Sequence, residues 1–160
     1  MAGIPEEVFD KEVIVRGVCS PHHFKDDKLI VAAYHPTPET DEVSVMRHDY
    51  MGSDACKAKA KELENPVKNK VYEGLAVLSA AQIRLTDCKI KDSRQIYPGH
   101  ADIKMGIIVP RGEPPSPEDA KLLLDRKRRL LKFTNYFRDP EPQVINWTGE
   151  KLVPKAQYNS

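Results

Sequence analysis

The sequence is poor in cysteine and in long apolar runs. Its three cysteines, Cys19, Cys56 and Cys88, are an odd number without the close spacing of a disulfide framework. No apolar run approaches the roughly 18 residues that a membrane helix needs, and no apolar signal stretch precedes the fold. We therefore expect a cytoplasmic protein that folds without a disulfide, metal or cofactor and has no membrane partner.

Signatures of common catalytic sites are also missing, since the chain contains no GxSxG, Walker, GxGxxG or HExxH motif. The net charge is only +1, so the chain lacks the overall basic character of many nucleic-acid-binding domains. Charged residues make up 31% and apolar residues 40% of the 160 positions, which is ordinary for one folded domain.

The clearest local signal is a helix predicted over residues 116–138. Ser116 can accept a hydrogen bond from an unpaired amide of the first turn, and Pro117 suits the first helical position. Pro140 disfavours helical geometry at the residue before it, so we expect the helix to end near Arg138. Six apolar residues recur at helical spacing: Ala120, Leu123, Leu124, Leu130, Leu131 and Phe137. This stripe predicts that the helix packs on a sheet.

Lys127 lies near the centre of the apolar stripe, where its ammonium must snorkel, pair with a carboxylate or face a partner. Together with Arg128 and Arg129 it forms a basic cluster that is a candidate binding surface. Such clusters are usually solvated, and the aromatic residues do not alternate with these cations as a nucleic-acid stacking surface requires. Nucleic-acid binding through residues 121–132 is therefore the alternative to a protein contact.

Runs of β-branched and apolar residues predict about five strands. They fall at residues 11–18, 29–34, 42–47, 71–78 and 100–109, with a minor strand at 87–91. The first two are expected to form an antiparallel hairpin. Alanine and straight-chain charged residues predict a smaller peripheral helix near residues 54–64. The predicted fold class is α+β: a mainly antiparallel sheet of about five strands, packed by one long C-terminal amphipathic helix.

We expect residues 1–140 to form a single α+β domain and residues 141–160 to form an extended C-terminal arm. The arm mixes a few apolar residues with prolines, which predicts that it packs on the domain or adds an edge strand. Trp147, the only tryptophan, is the expected anchor of this arm and a candidate contact residue for a protein partner.

Arg47, His48, Asp49 and Tyr50 stand at the exit of the predicted strand at 42–47. Because strand side chains alternate, Arg47 and Asp49 are expected on one face and His48 and Tyr50 on the other. Arg47 and Tyr50 are therefore candidate binding residues, and His48 and Asp49 are candidate catalytic residues. The alternative is a surface strand end with one salt bridge.

His100 and Asp102 are two residues apart on a predicted strand and so share a face. They could orient each other or ligate a metal, but two ligands do not make a site. Cys19 and His22 have a spacing that zinc accepts, yet no second pair accompanies them. We therefore predict no metal site, and the alternative for His100 is a hydrogen-bonded structural role.

If the protein is an enzyme, acid–base or hydrolytic chemistry is expected from the histidines and aspartates of these two groups. The candidates are His48, Asp49, His100 and Asp102, with Arg47 holding an anion. This hypothesis requires the side chains to converge in one pocket.

A wider pattern links an early strand with Arg16, a strand VSVMR with Ser44 and Arg47, and a later strand HADI with His100 and Asp102. This arrangement resembles small uncharacterised bacterial accessory proteins of conflict and defence operons, for example those of CRISPR-linked protease systems. The resemblance implies a partner-dependent accessory or regulatory role and transfers no catalytic residue. We therefore expect a non-enzymatic protein that acts through protein–protein contacts. An enzyme or ligand-binding protein with an Arg/His/Asp pocket is the alternative.

Overall fold

The computed structural model describes residues 3–156 and has an α+β fold. The predicted C-terminal arm is thus described only as far as residue 156, and residues 157–160 lie outside the described part. Within residues 3–156, six strands form one antiparallel sheet in the order β6-β7-β4-β1-β5-β8, and β2 and β3 form a separate hairpin. The predicted fold class is confirmed, with one more strand in the sheet than expected.

The strands are β1 Val13–Ser20, β2 Phe24–Lys25, β3 Lys28–Leu29, β4 Glu42–Arg47, β5 Val71–Ser79, β6 Lys89–Asp92, β7 His100–Lys104 and β8 Asn135–Arg138. The α-helices are α1 His48–Lys61, α2 Ala80–Leu85 and α3 Pro117–Phe133. Short 3-10 helices span Val31–Tyr34 and Pro66–Lys68. All neighbouring strands of the main sheet run antiparallel, and most of them are far apart in the chain, since β6 and β7 alone follow each other directly among the strands of residues 3–156.

The long helix α3 begins as its sequence predicts, because the Ser116 hydroxyl accepts from the Asp119 amide. It ends one turn earlier than predicted, at Thr134, whose backbone is extended. The Thr134 hydroxyl donates to the Leu130 carbonyl and lies 2.6 Å from the Tyr34 hydroxyl. The chain then pairs with β5 as strand β8, so the prediction that Phe137 belongs to the helical stripe is wrong.

The predicted strand at residues 29–34 is also wrong, because most of it is the 3-10 helix Val31–Tyr34. This segment packs against α3, with Ala33 and Tyr34 fully buried. An apolar run of this length suits any buried segment, and tertiary packing decided the outcome. The predicted strand at 100–109 ends at Lys104, before Gly106 at φ +80°.

Each face of the sheet carries its own apolar cluster. On one face, Leu123 and Leu130 of α3 pack with residues such as Val45, and burying each leucine contributes about 1.5–3 kcal/mol. The other face is covered by α1 and the C-terminal arm, through Cys56, Ala60 and Leu152. The predicted smaller helix is therefore confirmed, and it packs on this face of the sheet.

Two glycines shape helix α1 and its packing. Gly52 has φ +81°, so a first turn from His48 bends before the regular helix continues to Lys61. Gly17 on β1 lies under the helix, and a Cβ there would meet the Cβ of Ala60 at 2.8 Å. The missing side chain lets α1 approach the sheet closely.

The C-terminal arm is held by a buried lysine of α1. The Lys57 ammonium lies 3.0 Å from Asp139 and donates at 2.8 Å to the carbonyls of Glu141 and Asn146. The Tyr72 hydroxyl donates to the same Asp139 carboxylate at 2.7 Å. We call these residues the Lys57 cluster. It makes the arm part of the fold rather than a free tail, because each lysine donor meets an acceptor.

Candidate functional site

The predicted strand exit at Arg47 is a joint between β4 and α1. Helical geometry begins at His48, so strict alternation of the following side chains does not apply. His48 Nε2 lies 2.8 Å from Ser53 Oγ, and Asp49 accepts at 2.8 Å from the Val13 amide. The side chains of both candidate catalytic residues therefore form hydrogen bonds within the protein, close to the point where β4 passes into α1.

Arg47 is fully buried and is neutralised within the chain. Its guanidinium is bidentate to Glu12 at 2.7 and 2.8 Å and also donates to Asp92 at 2.7 Å. The remaining donors meet the carbonyls of Pro5 and Glu7. We call these residues the Arg47 cluster. All five N–H groups have acceptors, so Arg47 does not have the free donors that the predicted anion-binding role requires.

Burial lowers the pKa of Arg47, but the hydrogen bonds and charges of Glu12 and Asp92 outweigh that effect and raise it overall. The Tyr50 ring covers the guanidinium carbon at 4.8 Å from the ring centroid. The predicted binding residue Tyr50 therefore serves as a lid on the Arg47 cluster, where a cation–π contact stabilises the buried charge.

The structure does not bring Arg47 and His100 into one pocket. Strands β4 and β7 pair with Met46 opposite His100 and Ser44 opposite Asp102. Because side chains alternate along β4, Arg47 points to the opposite face from these four residues. The Arg/His/Asp pocket expected for an enzyme is therefore not formed, whereas His100 and Asp102 do share a face as predicted.

Ser93 lies beside both His100 and Asp102. Ser93 Oγ, just beyond β6, lies 2.5 Å from His100 Nδ1, and its hydrogen bond lowers the pKa of Asp102 in part. Burial has the larger effect and raises the pKa of Asp102 overall. Burial likewise lowers the pKa of His100, against the opposing influence of the nearby carboxylates. The arrangement favours a neutral imidazole whose remaining hydrogen-bonding atom is Nε2.

His100 lines a crevice of about 160 Å³ between α1 and the strands β1, β4 and β7. The lining residues are Arg16, Gly17, Ser44, Val45, Met46, Lys59, Ala60, Glu62, Leu63, Tyr97 and His100. The Tyr97 ring meets the imidazole edge-on at 4.9 Å, and the Lys59 ammonium lies 4.4 Å from the Tyr97 centroid. A small, largely apolar recess is thus bordered by one imidazole and by three charged side chains, those of Arg16, Lys59 and Glu62.

The cations of α3 are largely engaged within the chain. Lys127 Nζ lies 3.1 Å from His35 Nδ1, and burial lowers the pKa of Lys127. Arg129 pairs with Asp87 and Asp125, each at 3.0 Å. Within residues 3–156, the side chain of Arg128 is exposed and has no ion pair. The three residues of the predicted basic cluster therefore do not present a continuous surface of free positive charge.

The early cysteine and histidines do not form a metal site in the described part of the chain. The Cys19 amide donates to His23 Nδ1 at 3.2 Å, and burial lowers the pKa of His23 to about 3. His22 is exposed beside them. Among residues 3–156, no group of three or more His, Cys, Asp or Glu side chains is placed to hold a metal ion.

Trp147 lies in the arm and packs at the margin of the α1-side cluster. Its amide donates to Asp54 and its indole N–H donates to the Glu150 carbonyl, each at 2.8 Å. These contacts agree with an anchor of the arm on α1.

Sequence reasoning missed Ser93, Tyr97 and Lys59 as neighbours of His100. Ser93 and Tyr97 belong to a polar turn between β6 and β7 without a recognisable motif. In the sequence, nothing distinguishes Lys59 from the other lysines of the predicted helix, which are expected to face solvent. Only the register of β6 on β7 and the position of α1 bring these three residues to the imidazole.

No protein-family model, curated protein or solved structure matches this chain. No helix within residues 3–156 has both the length and the apolar character needed to cross a membrane.

Proposed function

We propose that this protein is a non-enzymatic binding module that receives one amphipathic side chain of a protein partner in the His100 crevice. The supporting observation is the crevice itself, whose volume of about 160 Å³ is below the roughly 300–1,000 Å³ typical of small-molecule pockets. An inserted aromatic or aliphatic anchor surrounded by polar groups is the usual centre of a protein interface.

The chemistry of the crevice defines the anchor. Leu63 and the Tyr97 ring supply apolar walls, while His100 Nε2 is available for one hydrogen bond. A tyrosine or tryptophan side chain combines an apolar body with one polar group, which fits this combination. A cytoplasmic location and a role in a bacterial defence system belong to the same proposal and rest on composition and on the resemblance of strand residues alone.

Selection from a random peptide library tests this proposal. We expect the wild-type protein to enrich peptides that share one aromatic anchor. Ser44 is an exposed residue of β4 that lines the crevice, so the larger side chain of Ser44→Tyr should fill it. We expect this variant to bind the selected peptides at least tenfold more weakly than the wild type. Lys89→Tyr, on β6 outside the lining, is the matched control and should bind normally. Selection without a shared anchor, or equal binding by both variants, contradicts the proposal.

A small enzyme remains the second candidate because of one observation, the hydrogen-bonded Ser93–His100 pair beside a carboxyl group with a raised pKa. Turnover of a panel of nitrophenyl esters and phosphates by the wild type and by His100→Asn separates the two functions. Turnover that disappears in the variant favours the enzyme. Peptide binding without turnover favours the module.

A further inference from the structure

The two edges of the main sheet differ in how open they are. Strand β6 forms one edge and β8 forms the other. The Asp139 amide donates to the Glu73 carbonyl at 3.0 Å, which extends the β5–β8 ladder by one hydrogen-bonded pair. Because bonded and non-bonded pairs alternate in an antiparallel ladder, Phe137 is also bonded to β5. The backbone groups of Tyr136 and Arg138 therefore point outward from the sheet.

Within residues 3–156, the outward N–H and C=O groups of Tyr136 and Arg138 have no hydrogen-bond partner. A groove of about 630 Å³ runs beside them, between β8 and the turn at Thr148 and Glu150. The edge thus combines free backbone groups with room for another strand, which is the arrangement that pairs with an added chain.

The β6 edge has the opposite character. Lys89 and Lys91 are exposed on it, and a two-fold pairing of this edge would bring lysines of two copies together. The N-terminal segment also crosses this end of the sheet, where Arg94 binds the Ile4 carbonyl. Sheet extension is therefore disfavoured at β6 and permitted at β8, which allows a closed pair of chains but not a filament.

Strand β8 is complementary to itself. An antiparallel pairing of two β8 strands about a two-fold axis at Phe137 places Tyr136 of one copy opposite Arg138 of the other. Cross-strand neighbours on one face lie within contact distance, so each guanidinium comes close to a tyrosine ring that already packs on Phe24, with the two ring centroids 5.3 Å apart. Within each copy, Arg138 Nη1 lies 3.9 Å from Asp27 Oδ1, and Arg138 and Glu150 both line the groove, so each side of the contact carries charges of both signs.

We propose that two copies of this chain pair through their β8 edges and join their sheets into one continuous antiparallel sheet. Tyr136 and Arg138 supply the backbone hydrogen bonds and the cross-strand contacts of this symmetric dimer. The proposal concerns a surface distinct from the His100 crevice and stands without the proposed function.

Sedimentation and light scattering measure the expected species, with a mass about twice the 18.1 kDa of the chain. Arg138→Pro removes one outward donor and leaves the β5 bonds of Phe137 and Asp139 intact. We expect it to raise the dimer dissociation constant at least tenfold, whereas Arg138→Ala, which keeps the amide, should have a smaller effect. A monomeric wild type, as expected if an extended peptide were the natural occupant, or an Arg138→Pro variant that remains dimeric would overturn the proposal.

Hydrogen exchange of the wild type provides a test that does not depend on the folding of a variant. The amides of Tyr136 and Arg138 should be protected at high protein concentration and exchange rapidly after dilution. The amide of Phe137 should remain protected at both concentrations because it is bonded to β5. Rapid exchange of Tyr136 and Arg138 at every concentration would overturn the proposal.

Discussion

The Arg47 and Lys57 clusters each use a buried cation to hold a segment near one end of the chain against the sheet. Each buried cation binds two backbone carbonyls of a terminal segment and is paired with a buried carboxylate. Arg47 adds Asp92, which keeps a contact with the partly exposed Arg94. Lys57 and Asp139 are both fully excluded from solvent. The ion pair of the Lys57 cluster is therefore more completely excluded from water. If one partner is removed, no second ion pair among residues 3–156 remains for the other, whereas Asp92 of the Arg47 cluster keeps Arg94.

The largest expected effect is that of Lys57→Met. The change leaves Asp139 buried without its cation, and loss of one partner of a buried pair typically costs about 3–5 kcal/mol. Urea denaturation should show a loss of about 4 kcal/mol in the free energy of unfolding. Lys59→Met, on the same helix but partly exposed, is the control and should lose less than about 1 kcal/mol. Equal losses would show that Asp139 does not depend on Lys57.

Arg47→Met should have the next largest effect, about 3 kcal/mol, because Glu12 remains buried while Asp92 retains Arg94. The N-terminal segment loses two carbonyl contacts, so limited proteolysis should cleave it faster than in the wild type. Arg47→Lys keeps the charge but not the bidentate geometry, and should recover only part of the loss. Faster cleavage of the C-terminal arm instead would contradict this assignment.

Acidification should weaken both clusters. Burial raises the pKa of Asp139, but hydrogen bonds from Tyr72 and Lys57 outweigh burial and hold it below the ordinary 3.8. Hydrogen bonds from Arg94 and Arg47 likewise outweigh burial and lower the pKa of Asp92. A lowered carboxyl pKa stabilises the fold above the unfolded pKa, and this contribution is lost as pH falls through the folded value.

The free energy of unfolding should therefore fall as the pH drops from about 4 to about 2. Asp139→Asn should be less stable than the wild type at neutral pH and should lose less stability over this range. Urea titrations at several pH values measure both slopes. If the stability of Asp139→Asn fell with pH as steeply as that of the wild type, protonation of Asp139 would not be a cause of the acid sensitivity.

The smallest expected effect is that of Arg94→Ala, at the exposed end of the Arg47 cluster. Its pair with Asp92 is accessible to water, and surface pairs contribute little. The Tm should change by less than about 2 °C for a domain of this size. A larger change in Tm would mean that the Arg47 cluster depends on Arg94. The Arg47 cluster would then have no more capacity than the Lys57 cluster to tolerate the loss of one partner.

Local chemistry predicted the elements whose boundaries depend on adjacent residues. Ser116 and Pro117 mark the start of α3 as predicted, and Ser79 likewise caps α2 together with Gln82. Strand β4 follows its β-branched pattern at the predicted bounds. The end of α3 could not be predicted in this way, because Thr134 leaves the helix to contact Tyr34 and to allow β8 to pair with β5.

The candidate site was predictable only in part for a similar reason. The spacing of His100 and Asp102 predicts a shared face, since that follows from strand geometry alone. The same reasoning failed for Arg47, whose environment depends on Glu12 and Asp92, 35 and 45 residues away in the chain. No local pattern marks residues that meet across strands.

The α+β class, the start of α3 and the common face of His100 and Asp102 could all be predicted from neighbouring residues. These properties follow from caps, from side-chain periodicity and from the short-range geometry of the backbone. Packing between distant segments, in contrast, sets three features: the binding of Arg47 and Lys57 to the ends of the chain, the cover of one sheet face by α1 and the edge position of β8. Those outcomes depend on backbone carbonyls, strand register and the burial of charges by distant segments, which the identity of neighbouring residues does not encode.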